Sequence, residues 1–382
     1  MQYVALTYNT FALPTLMYVG QLERPPPMHA CLEKRGLINM LPGPGQWITP
    51  SDACYLKEEF GQNRSFAPMA DSMYSAQLRV AEYGCRPGSE SKEAGRGSNK
   101  VATMAGKLRA CMADSEFLNR RLIWKEWYSS SHYLVLEDNL KRFRSLGITP
   151  QGLNRQLAGD QEPPWDSDTT KKQKRLFQKT ALANIKRAHT PNAVERIRRK
   201  VERWRGKPYA LYGQPGRYSV VIHKRLQMLS TLLTPRVNAA VFKTIWNGWC
   251  VPRRFQKRHS AADHCLLGCD GDAQDCIEHY CRCPAVTEVG DRFLRVRASP
   301  PRALNLWLLN EIVLEDPRVM RSVALLMYGT YMTTNYCRHN GRYSRGAAID
   351  SIKQHCMQGA RGNADLESHL DGCWLIPTTS IS

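Results

Sequence analysis

Five cysteines and a histidine fall within the 19 residues from Cys265 to Cys283, in the order Cys265-x-x-x-Cys269, Cys276, His279-x-Cys281-x-Cys283. A secreted disulfide scaffold spreads its cysteines through a short chain. Here the chain has 382 residues and 13 cysteines, an odd number. Clustering with an interleaved His points to a metal site in a reducing compartment, nucleus or cytoplasm. Zn²⁺ takes four soft or borderline donors at tetrahedral corners. The Cys265-x-x-x-Cys269 turn brings two thiolates to one ion, and Gly268 relieves the crowding there. His279 and Cys283, one helical turn apart, bring the second pair. The expected ligands are therefore Cys265, Cys269, His279 and Cys283, with Cys276 and Cys281 as spare thiols and Cys281 the substitute. Buried free cysteines beside a chance His are the competing reading, but the Gly and Asp neighbours make a poor apolar core. Four protein ligands leave no open position, so the zinc is expected to be structural rather than catalytic. Glu278 then reads as a solvated or supporting acid, and His264 as a flanking residue rather than half of a nucleophile pair.

The charge is equally uneven. From Lys171 to Arg258 there are 23 Lys and Arg against two acids, Glu195 and Glu202, whereas the whole chain carries +20, so the remainder is near neutral. So concentrated a field favours a polyanion, and RNA or DNA is the expected partner. Phe177, Trp204, Tyr209, Tyr212, Tyr218 and Phe255 are interleaved with the charge and offer rings for unpaired bases, although most of them are expected to be core. A solvated helical face, or a basic surface held by acidic protein partners, is the alternative. The residues expected to touch phosphate are Arg198, Arg199, Lys200 and Arg203 on one helix, and Arg253, Arg254, Lys257 and Arg258 just before the cysteine cluster. Trp246 and Trp249, three residues apart, belong to a core rather than to a stacking platform.

Helical spacing dominates and strand signals are scarce, so the expected class is mainly α, multi-helix, with a small Cys/His zinc-binding turn. Residues 1–85 form an apolar, turn-rich segment. Tyr3, Leu6, Thr10, Leu13 and Met17 fit a helix that begins without a capping residue, which reads as a fragment or a misplaced gene start. Pro25-Pro26-Pro27 stops it, and Pro50-Ser51-Asp52 opens a second helix. Residues 86–170 hold a Gly/Ser linker (86–100), helices over about 116–146, and a second flexible stretch (159–170). The basic helical segment follows at 171–258. Thr190 is its expected N-cap with Pro191 at the first helical position, and Val194, Ile197, Val201 and Trp204 make its apolar stripe. Further helices are expected at 218–233, 236–249, 303–314 and about 318–336, the last with Val323, Leu326, Met327, Tyr331 and Tyr336 on one apolar face. The zinc motif takes 259–290, C-terminal helices 291–340, and a Gly-rich flexible tail 341–382. No run of 18 uncharged apolar residues occurs, so no membrane span is expected. Asn9, Pro14 and Gln21 interrupt the apolar start, which also lacks a basic leader, so a signal peptide is not expected either.

The run Trp246-Asn247-Gly248-Trp249, Arg253-Arg254-Phe255-Gln256, Cys265, Cys269, Asp275-Cys276-Ile277-Glu278-His279-Tyr280 and Cys283 resembles the Cys-Cys-His-Cys region downstream of the polymerase in non-LTR retrotransposon reverse transcriptases. More loosely, Tyr8-Asn9-Thr10-Phe11-Ala12-Leu13-Pro14, Tyr18-Val19, Gln21-Leu22 and Pro25-Pro26 look like the stretch after the palm of such proteins. The resemblance covers residues 235–285 and, in part, 1–50. It implies thumb-like post-palm helices and a basic, zinc-containing part that grips template RNA and target DNA.

The chain departs from that family where the chemistry lies. Polymerisation needs paired carboxylates for two Mg²⁺ ions, and the sequence contains no Asp-Asp dipeptide. The palm is absent. Glu315-Asp316-Pro317 lacks the matching Lys of the endonuclease that some members carry. There is no phosphate-binding Gly-x-x-x-x-Gly-Lys loop and no Gly-x-Ser-x-Gly elbow. No catalytic residue and no small-molecule substrate is therefore assigned. The expected function is a zinc-stabilised, nucleic-acid-binding C-terminal region of such a reverse transcriptase. The alternatives are a zinc-containing interaction protein with acidic partners and a full-length polymerase read from a misplaced start.

Overall fold

Helical periodicity becomes helix wherever the computed structural model describes the chain: residues 2–20, 27–83 except 42, 45 and 46, positions 145, 147, 148 and 153, then 171–204, 217–251, and 264–374 except 270–272. The mainly α expectation holds. Among these residues extended pairing is confined to an isolated bridge between His264 and Gln274. No helix among them is long and apolar enough to cross a membrane. The linker 86–100, almost all of the expected helices at 116–146, and the stretch 159–170 lie outside the described residues.

The helices gather into two compact units. One holds residues 1–5, 37–65 and 191–382; the other holds 6–36 and 66–190. The expected segments 1–85 and 171–258 are therefore each shared between units, the second of them parting after Thr190. Composition suggested those boundaries, but apolar stripes decide which core a helix joins.

In the unit of 6–36 and 66–190, the Lys171–Ala188 helix packs on the Met69–Tyr83 helix. Phe177, Ala181 and Ile185, spaced four apart, are fully buried, and Met73, Ala76 and Leu78 are buried on the other helix. The expected N-terminal helix is present, and of Leu6, Thr10, Leu13 and Met17 it buries Leu13. A π-turn at Tyr8–Ala12 interrupts it. The wider turn shifts the register, so Tyr8 and Leu13 are buried while Leu6 and Leu16 are exposed. A His29–Met40 helix, not expected from the sequence, supplies Glu33, whose Oε1 accepts the Met69 N–H at 2.6 Å and the Tyr8 hydroxyl at 3.2 Å. A carboxylate at the first turn of the Met69–Tyr83 helix complements its dipole.

In the larger unit, Pro50–Cys54 starts as expected, with Thr49 and Asp52 forming a capping box. Arg196 bonds the carboxylate of the buried Asp52 and the Thr49 hydroxyl. The Ala193–Val201 helix is capped by Asn192, which accepts from Glu195 N at 3.0 Å, and not by Thr190. Thr190 instead donates back to Lys186 O at 3.0 Å and closes the preceding helix. Capping two residues later lets Ala193, Ile197 and Val201 share the buried face. Trp246 and Trp249 are core residues, as expected. Trp246 stacks on Phe242 at 4.1 Å and meets Phe60 at 4.8 Å, while Trp249 lies 5.3 Å from Tyr331 and 5.9 Å from Tyr280. The expected helix at 303–314 breaks after Ala303–Trp307, and a 3₁₀ turn, Ile312–Glu315, follows, with Leu309 at φ 57° between them.

The Pro317–Asn340 helix is the pillar of this unit. From Met320 to Thr330 it is buried on most sides rather than on one face, and Tyr336 is exposed. As far as Trp374, the tail expected to be flexible is instead two helices, Arg345–Ala360 and Ala364–Trp374; residues 375–382 lie outside the described residues. Ala348, Ile352, Cys356 and Ala360 fall at helical spacing and are buried against the pillar. Small residues permit the approach: a Cβ on Gly329 would lie 2.7 Å from Cys356 Sγ and 2.8 Å from Ile352 O. The glycines between 341 and 362 signalled disorder in the sequence. In the fold Gly341 and Gly362 turn the chain at positive φ, and Gly359 packs against Tyr328.

Candidate metal centre

Cys265, Cys269, His279 and Cys283 each present one donor atom, and these atoms lie within 4.8 Å of one another. The four residues expected from spacing are thus the four brought together, and they can hold a metal ion. Cys281 is not among them. Its buried thiol is pushed up to about 12 by desolvation and donates to Glu278 O at 3.2 Å. Cys276 precedes the short Ile277–Tyr280 helix and is also outside the group.

The distances fit a tetrahedron. With metal–sulfur bonds of about 2.3 Å, tetrahedral geometry places sulfurs about 3.8 Å apart. Cys265 Sγ and Cys283 Sγ are 4.0 Å apart, and Cys269 Sγ and Cys283 Sγ 3.4 Å. Both separations are far beyond a disulfide bond of about 2.05 Å, and all five cysteines from Cys265 to Cys283 are free thiols. The imidazole adds a second sign. His279 Nε2 is buried and has no hydrogen-bond partner. A buried polar atom without a partner costs roughly 1–3 kcal/mol, and a metal–nitrogen bond removes that cost.

Local structure explains how the donors converge. Cys265 N donates to Ala273 O at 2.6 Å, folding the first pair back over the loop. Gly268 adopts φ 78°, open to glycine at little cost, and a Cβ there would lie 2.5 Å from Arg345 N. Leu267 N donates to Cys265 Sγ at 3.4 Å, which favours the thiolate. Cys283 sits at the N-cap of the Pro284–Phe293 helix, where the helix dipole favours negative charge. Between the sulfurs, the Cys283 interaction holds Cys265 down to about 4, and the same sharing pushes Cys283 up.

A support not foreseen from the sequence lies behind the ligands. Tyr280, fully buried, donates to Asp275 Oδ1 at 2.7 Å, and Arg338 Nη2 donates to the same oxygen at 2.8 Å. Asp275 is itself buried, and desolvation raises its carboxyl while Arg338 opposes the rise. Arg338 belongs to the pillar helix, so the network ties the turn to the core. Tyr343 N donates to Leu266 O at 3.0 Å, and Arg342 Nη2 to Cys269 O at 3.0 Å. An Asp and an aromatic inside a Cys/His cluster were the only available signal; Arg338, which completes their network, lies 63 residues beyond Asp275.

The basic residues are distributed differently. Arg253, Arg254, Lys257 and Arg258 lie outside the described residues. Arg198 pairs with Glu195 at 2.7 Å and with Glu202 at 2.9 Å, and Arg199 with Glu195 at 2.8 Å. Glu195 is held down to about 2 by the bonds from these two arginines. Lys200 donates to Trp47 O at 2.7 Å, and Arg203 is exposed. Three of the four are thus engaged by the chain itself. Of the interleaved rings, Phe177, Trp204 and Tyr218 are buried, while Tyr209, Tyr212 and Phe255 lie outside the described residues. Asp316 caps the pillar helix by accepting from Arg318 N at 2.8 Å, which gives Glu315-Asp316-Pro317 a structural role. The chain matches no protein-family model, no curated protein and no solved structure.

Proposed function

We propose that the chain is a zinc-stapled, basic helical protein that grips nucleic acid, equivalent to the post-palm, Cys-Cys-His-Cys part of a non-LTR retrotransposon reverse transcriptase. The convergence of Cys265, Cys269, His279 and Cys283 carries the reading. Three thiols and an imidazole are a donor set for Zn²⁺, and four protein ligands close its shell, so the ion's contribution is folding energy rather than Lewis-acid chemistry. Free cysteines in such number suit a reducing setting, nucleus or cytoplasm. The chain's own mechanism is electrostatic. The exposed basic residues among the 23 between Lys171 and Arg258 neutralise phosphates and release counterions.

Elemental analysis of the purified chain beside Cys269→Ser, with single-stranded RNA binding across a salt series, tests both halves. The expected result is one zinc per chain, lost in the variant, and an affinity that falls steeply with salt. Folded wild-type protein without zinc overturns the staple. An affinity unchanged from low to physiological salt overturns the nucleic-acid reading.

A further inference from the structure

Beside the metal turn lies a cavity of about 490 Å³, within the range of small-ligand sites. Arg282, Arg292, Arg297 and Arg345 line it, against two carboxylates, Glu288 and Asp291. The side chains of Arg292, Arg297 and Arg345 are 68%, 85% and 56% exposed, so their guanidiniums stand at a rim. Glu288 holds two of them apart and in place. Its Oε1 accepts from Arg292 Nη1 at 2.8 Å and its Oε2 from Arg345 Nη2 at 2.7 Å. Each guanidinium has five N–H donors and spends one on this carboxylate. The rest of the lining is mostly apolar and includes the buried Val286 and Trp307.

The metal turn builds one wall. Arg282 lies between the spare thiol of Cys281 and the ligand Cys283, and Pro284 starts the next helix. Arg345, also in the lining, has its backbone N close against Gly268 of the same turn. The cavity therefore joins planar donors suited to phosphate oxygens with an apolar floor for a flat ring.

We propose that this cleft binds a nucleotide unit, its phosphate on the arginine rim and its base against the apolar floor, and that single-stranded nucleic acid supplies it. The inference rests on the nucleic-acid reading above and places part of that grip outside the segment 171–258. It assigns that part to Arg282, Arg292, Arg297 and Arg345, each of which, like Arg198 and Arg199, also bonds an acceptor of the chain itself.

The zinc-loaded full chain is titrated with labelled single-stranded RNA of about twelve nucleotides, a length within the usual span of such sites, and separately with AMP. Arg282→Glu/Arg297→Glu is compared with Arg318→Glu, whose guanidinium pairs with Asp316 away from the cleft. The cleft variant is expected to bind RNA at least about tenfold more weakly, with a salt slope lower by about 1.4 for two lost single-strand contacts. The control is expected to match wild type. AMP binding that disappears in the cleft variant supports the same chemistry with a free nucleotide as its source. RNA bound equally by wild type and cleft variant overturns the cleft and leaves the nucleic-acid reading standing. Wild type binding neither RNA nor AMP overturns both. Zinc content and helical circular dichroism are measured on each variant, and Arg282→Gln/Arg297→Gln replaces the Glu pair if that pair loses zinc.

Discussion

Glu33 shows how one buried carboxyl couples local structure to solution conditions. It accepts from Met69 N and from the Tyr8 hydroxyl, yet burial outweighs these bonds and raises its carboxyl above the ordinary value of 4.5. A raised folded-state value means that the folded form holds the proton more tightly than the unfolded chain. The associated stability is full below 4.5 and is lost as pH climbs through the raised value. Urea unfolding of wild type and Glu33→Gln across that window is expected to converge in acid and diverge in favour of the variant above it. Parallel curves would mean that Glu33 does not titrate in this way. The metal ligands were legible at this scale because thiol and imidazole spacing encodes a coordination shell directly. Asp275 was not, because its partner Arg338 belongs to a helix 63 residues further on.

At the scale of elements, start signals were readable in kind but ambiguous in position. Thr190-Pro191 and Asn192 are both acceptable openings, and only the buried face of Ala193, Ile197 and Val201 chooses between them. Asn192→Ala is therefore expected to destabilise the chain by about 1 kcal/mol. Thr190→Ala, which removes a hydroxyl that only returns to Lys186 O, is expected to cost less than half as much. Equal losses in thermal or urea unfolding would restore Thr190 as the cap. The π-turn at Tyr8–Ala12 had no sequence signature, since a one-residue register shift leaves composition unchanged. Helix existence was mostly clear from periodicity. The His29–Met40 helix escaped because its apolar residues, Leu32 exposed and Leu37 buried, do not form one stripe.

Across the whole molecule, the two units could not be read from chain order, because residues 1–5 and 37–65 join 191–382 while 6–36 joins 66–190. The C-terminal helices were not legible for a related reason: glycines that turn or close-pack a chain look, in isolation, like glycines that loosen it. These helices are held to the metal turn through Tyr343 N on Leu266 O, Arg342 on Cys269 O, and the Gly268 contact with Arg345. Stripping metal from the folded chain with a chelator is expected to speed tryptic cleavage at Arg342 and Arg345 well beyond any change at Arg318. Cleavage rates at Arg342 and Arg345 unchanged by the chelator would show that the clasp stands without the ion.

The four donors occupy 19 consecutive residues, whereas the residues that brace them, Arg338, Tyr343 and Arg345, come more than 50 residues later. Closing a loop that short costs little entropy, and closing the long one costs more. During synthesis the ligands leave the ribosome before the braces do. A growing chain that takes up an ion at these four donors would do so before its last helices fold onto the turn, an order of assembly set by the spacing of the donors.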